Sequence, residues 1–81
     1  MSVQMDQSFR SLEIAEIAEA RLSASSHPAL RNVFCKYDDG VLVLRGRLNS
    51  FFHTQLAQET VRTINGVERV VNKIEVLPRA I

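Results

Sequence analysis

The tripeptide Asp38-Asp39-Gly40 restricts this chain most, because it stands between two stretches of alternating character. A two-residue hairpin loop needs positive φ at its centre, which Gly adopts freely and Asp tolerates. Asp39-Gly40 therefore predicts a tight hairpin, with a strand over 32–37 before it and its partner over 41–48 after it. Side chains alternate between the two faces of a strand. In the second strand Leu42, Leu44, Gly46 and Leu48 share one face, while Val41, Val43, Arg45 and Arg47 share the other. Only the first set is free of charge, so it is the core face; a one-residue slip would bury two arginines. The same parity turns Val33, Cys35 and Tyr37 inward and Phe34 and Lys36 outward. Gly46 interrupts the inward row and predicts that a helix backbone passes close over that point.

The flanking segments follow helical spacing. From Phe9 to about Ala24, the residues Leu12, Ile14, Ala15, Ile17, Ala18 and Leu22 form one broad apolar stripe. Ser23, Ser25 and Ser26 followed by Pro28 end that helix. Asn49 and Ser50 are N-cap types ahead of a second helix over 51–64. Phe52, Leu56, Val61 and Ile64 are expected to face the core from it, and Thr60 to bond its own helix backbone. Asn65-Gly66 stops this helix, and a last strand over 67–77 follows. That strand sets Val70, Asn72, Ile74 and Val76 against Val71, Lys73, Glu75 and Leu77. A strand–helix–strand crossover favours parallel pairing of its two strands. The expected fold class is α+β, helix-strand-strand-helix-strand. It has a three-stranded mixed sheet in order 1-2-3, both helices on one face and the other face open. With 81 residues, a single domain over 9–77 is expected, after a frayed segment over 1–8 and before a short tail over 78–81.

Little in the chain points to catalysis. Cys35 is the single cysteine, so neither an intrachain disulfide nor an all-cysteine metal site can form. Its parity is that of the core, where a free cysteine behaves as a small hydrophobe. His27 and His53 stand 26 positions apart without a neighbouring ligand pair, and are expected to be exposed and without a metal role. Turn chemistry accounts for Asp38 and Asp39. Asn72 belongs to the inward row, and a buried amide needs partners, so it is expected to fasten a loop or helix end beside the sheet. No catalytic set, cofactor or metal is expected. The open face carries Phe34, Lys36, Val41, Val43, Arg45, Arg47, Val71 and Lys73, with Leu77, and Glu75 as its only acid. Contiguous exposed apolar area usually marks an interface, so these residues are the candidate interaction face.

The segment from Asp39 through Gly40-Val41-Leu42-Val43-Leu44-Arg45-Gly46 to Ser50 resembles the hairpin signature of the BON domain (bacterial OsmY and nodulation). The segment from Ile64 to Val76, with Gly66-Val67 followed by Val70-Val71-Asn72, is similar to the family's closing signature. The resemblance spans roughly 14–76 and implies the same order of elements. It implies a non-enzymatic binding role: phospholipid or envelope association, osmotic-stress functions, or potassium sensing beside another module. Family members are mostly periplasmic, secreted or membrane-attached. Thr60 departs from the family, which usually has a small apolar residue there. Gly66-Val67-Glu68-Arg69-Val70 also occurs in heavy-metal-associated domains, but those need two cysteines near the first strand and another element order.

Net charge is +1, which excludes a strongly cationic nucleic-acid wrapper, and no nucleic-acid partner is expected. The longest purely apolar run, Val41 to Leu44, is far short of the ~20 residues of a membrane span. The first residues have neither the basic flank nor the apolar centre of a secretory signal, so a cytoplasmic location is expected. The leading reading is a binding module. It would meet a protein partner, a second copy of itself or an anionic phospholipid surface through the open basic-apolar face. The alternative is a small-ligand or cation sensor of the potassium type, using the turn and loop ends.

Overall fold

The computed structural model describes residues 7–77, with side chains from Arg10 onward. Of the segment over 1–8 expected to be frayed, positions 1–6 lie outside the described residues, as does the tail over 78–81, while Gln7 and Ser8 begin the first helix. Helix α1 (Gln7–Ser23) is followed by a 3-10 turn (Pro28–Asn32), strands β1 (Val33–Asp38) and β2 (Val41–Leu48), helix α2 (Phe51–Val61), and strands β3 (Arg69–Asn72) and β4 (Glu75–Val76). Strand β2 is central. It pairs antiparallel with β1 and parallel with β3 and β4. Both helices lie on one face, α1 mainly over β1 and α2 across β2 and β3.

The hairpin forms as the alternation requires. Asp38 pairs with Val41, and the two residues between them have φ of 47° (Asp39) and 86° (Gly40). Leu42, Leu44 and Leu48 are buried beneath the helices together with Val33, Ala18, Leu22, Ala57, Val61 and Ile64.

Several expectations are corrected. The buried stripe of α1 is narrower than its apolar spacing: Ala18 and Leu22 are buried and Ile14 packs against them, but Leu12 is 68% exposed and Ile17 42%. A helix resting mainly over one edge strand covers less of its own circumference than one laid across a sheet. Helix α2 ends at Val61 rather than 64, and the chain leaves through turn bonds from Ile64 N–H to Val61 O and Val67 N–H to Ile64 O. Its buried positions are Thr54, Ala57 and Val61. Phe52 is 59% exposed and is not a core residue, because the small Thr54 and Ala57 are what allow the helix to sit close. The 3-10 turn, read from sequence only as a loop, buries Leu30 completely. The backbone close to Gly46 is not that of either α-helix. A Cβ there would lie 2.4 Å from the Asn32 carbonyl oxygen, at the end of the 3-10 turn.

The last strand is broken in two. The pairs Leu44↔Asn72 and Arg47↔Glu75 have the same offset, so no residue is inserted; the ladder lapses at 73–74, opposite Arg45 and Gly46. Asn72 bridges the lapse. Its Oδ1 accepts from Ile74 N–H (3.1 Å), and its Nδ2 donates to Thr54 O (3.0 Å) and Gln58 Oε1 (3.3 Å). The inward amide thus ties α2 to the sheet, as expected. Thr60 Oγ1 likewise donates to Leu56 O at 2.7 Å. Val76, expected inward, is 42% exposed as the last paired residue of an edge strand.

Candidate functional site: the open sheet face

Register fixes which side chains stand together on the uncovered face. Three rows cross the sheet there: Asp38, Val41 and Arg69; Lys36, Val43 and Val71; and Phe34 with Arg45. Lys73, whose N–H donates to Leu44 O at 2.8 Å, continues the third row beside Arg45. Arg47 and Glu75 form a fourth pair. All eight sequence-derived positions are therefore brought together on one surface. Phe34 is 63% exposed, the three valines are half-buried, and Lys36, Arg45, Arg47 and Lys73 are exposed.

Two members of this face were missed. Strand β1 runs on to Asp38, so Glu75 is not the only acid; and Arg69, opposite Val41, adds a cation. The parity signal was present at both positions, but strand ends cannot be placed to the residue from sequence. The face holds five cations and two carboxylates. Arg47 Nε lies 3.2 Å from Glu75 Oε1, with both side chains largely exposed. Such surface pairs contribute roughly 0–1 kcal/mol. Among the described residues, Lys36, Arg45, Arg69 and Lys73 have no ion pair.

The remaining candidates go elsewhere. Cys35 lines a groove of about 480 Å³ between α1 and β1, with Leu12, Ala15 and Tyr37. Its backbone N–H donates to Glu19 Oε2 at 2.9 Å, which covers an otherwise open strand edge. Burial first, and then the Glu19 carboxylate, push the thiol up to about 12. A nucleophilic cysteine needs the opposite shift. At the turns, Gly40 O accepts from both Glu68 N–H (2.7 Å) and Arg69 N–H (3.0 Å), and Gly66 O accepts from the Tyr37 hydroxyl. Both of these turn carbonyls thus already have donors. His27 and His53 are not the separate, exposed residues expected: both are half-buried and their rings meet, with centroids 5.6 Å apart.

The family model of the BON domain matches residues 12–78, spanning the hairpin, the crossover helix and the interrupted last strand. The chain belongs to the BON-domain family. BON domains are binding modules, generally for phospholipid or protein. A comparison with curated proteins found no match. No helix among the described residues of this BON domain is long and apolar enough to cross a membrane.

Proposed function

We propose that this BON domain docks its open sheet face on an anionic phospholipid surface and carries out no catalysis. The observation that carries this reading is Phe34, 63% exposed and set among Lys36, Arg45 and Lys73, cations drawn from three successive segments of the sheet. Each Lys or Arg near an anionic membrane contributes about 1 kcal/mol, so an excess of three positive charges supplies ~3 kcal/mol. Burying an exposed phenylalanine adds ~1.5–3 kcal/mol. The sum, about 5 kcal/mol, corresponds to sub-millimolar, reversible attachment.

Co-sedimentation with phosphatidylcholine vesicles, with and without phosphatidylglycerol, tests the reading. Binding should need the anionic lipid and weaken with salt, because exposed charges are screened beyond ~10 Å at 0.1 M. Arg45→Glu with Lys73→Glu should abolish it, and Phe34→Ser should weaken it without altering the salt dependence. Equal binding to neutral vesicles, or full retention by the double variant, overturns the proposal. A domain that ignores both kinds of vesicle overturns it in favour of an acidic protein partner.

A further inference from the structure

We propose that His27 and His53 together bind a late first-row divalent metal ion, of the zinc or copper(II) class, at the end of the sheet where α2 begins. The two imidazoles come from unrelated elements, each with its own backbone anchor. His27 precedes the 3-10 turn, and its N–H donates to Ser25 Oγ at 3.2 Å. His53 is held in the first turn of α2. Their ring centroids are 5.6 Å apart, with planes inclined at 62°. Phe52 packs edge-on against both, at 5.9 Å from His27 and 5.5 Å from His53.

The separation suits a shared ion. A metal bound at ~2.1 Å to a ring nitrogen sits roughly 3.2 Å from that ring's centroid. Two imidazoles meeting it at a tetrahedral angle then have centroids ~5.3 Å apart. The observed 5.6 Å needs only a small widening of that angle. Imidazole is a good ligand for zinc, copper and nickel and a poor one for magnesium or calcium, which sets the class of ion. The nitrogens are also available: among the described residues, neither imidazole donates or accepts a hydrogen bond, and the unpartnered nitrogens reach solvent. Aromatic packing explains the contacts with Phe52, but it does not require an imidazole at either position.

The site has two protein ligands. Among the described residues, no three His, Cys, Asp or Glu side chains gather to hold a metal. Water must complete the coordination, and a cavity of about 520 Å³ beside His53, lined by Asn32, Asn49 and Ser50, has room for it. Arg47 also borders this cavity, and its charge is offset by Glu75. A half-open shell of this kind gives exchangeable binding rather than a structural site, in which four protein ligands are the rule.

Zinc alone, titrated into the full chain, is the probe, with the imidazole nitrogens followed by 15N NMR. Both rings should respond together at one equivalent of zinc. His27→Gln and His53→Gln should each weaken binding by at least about tenfold, while Cys35→Ser should not change it. Ligand nitrogens must be free of protons, so affinity should fall on acidification. A response from one ring only, or from neither, overturns the proposal on the unmodified protein alone. Wild-type affinity in either histidine variant overturns it equally.

Discussion

Gly46→Ala is the substitution whose cost can be worked most directly from the structure. Gly46 has φ of 147°, a backbone conformation that other residues rarely adopt. Holding alanine there costs about 1–3 kcal/mol. The new Cβ would also lie 2.4 Å from the Asn32 carbonyl oxygen. Ordinary carbon–oxygen contact is about 3.3 Å, so the two backbones must part by ~0.9 Å. Neither can yield easily, because Gly46 is paired with Val33, the residue that follows Asn32. Forced overpacking of this sort costs a further ~1–3 kcal/mol, for a combined loss near 4 kcal/mol. A chain of 81 residues has ~4–12 kcal/mol of stability in all. At ~4–8 °C per kcal/mol, the melting temperature should fall by well over ~10 °C. Gly66→Ala is the comparison. Its φ of 98° is also positive, but the nearest obstacle is the flexible end of Ile14, Cδ1 at 3.1 Å, so about 1–2 kcal/mol is expected. Thermal unfolding followed by circular dichroism measures both. If Gly46→Ala melts within ~4 °C of the parent, or no lower than Gly66→Ala, the close approach of Asn32 to β2 is wrong.

Two further perturbations probe the core side of the sheet. Asn72→Ala leaves Ile74 N–H without its acceptor and unties Thr54, so a loss of about 2–3 kcal/mol and faster amide exchange at Ile74 are expected; unchanged exchange there would remove the bridging role. The Cys35 thiol, pushed up to about 12, stays protonated in the folded chain while the unfolded chain ionises near ~8.5, so stability should decline as pH rises from ~9 toward 12, and Cys35→Ser should decline less. Native Cys35 should also label slowly at about pH 8; rapid labelling would show an accessible thiolate.

What could be read from the sequence was what neighbouring residues encode. Asp39-Gly40 and the alternation from Val41 to Leu48 determine register locally, and register alone placed all eight residues of the open face. Asn72 was legible for the same reason, as the one amide in an inward apolar row. Tertiary choices were not legible. Helical spacing allows several adjacent stripes on α2, and the one that packs is set by how closely Thr54 and Ala57 let it approach, which leaves Phe52 outside. Pro28-Ala29-Leu30 has the composition of a loop, and nothing local shows that Leu30 is fully buried in the core while its turn packs against α1 and β2. His27 and His53 meet only because the 3-10 turn packs against α2, across 26 positions of chain. Gly46 signalled a close approach correctly, but the approaching group was a carbonyl from the neighbouring connection.

The central claim is that one face of the sheet carries the binding function, and amide chemical-shift mapping on lipid nanodiscs tests it residue by residue. With phosphatidylglycerol present, the largest changes should fall at Phe34, Lys36, Val43, Arg45, Val71 and Lys73, fade as salt is added, and vanish on phosphatidylcholine alone. Among the described residues, large exposed apolar side chains away from this face include Leu12 and Ile17 on α1 and Phe51 and Phe52 on α2. Changes centred on those residues, with the open face silent, would contradict the account.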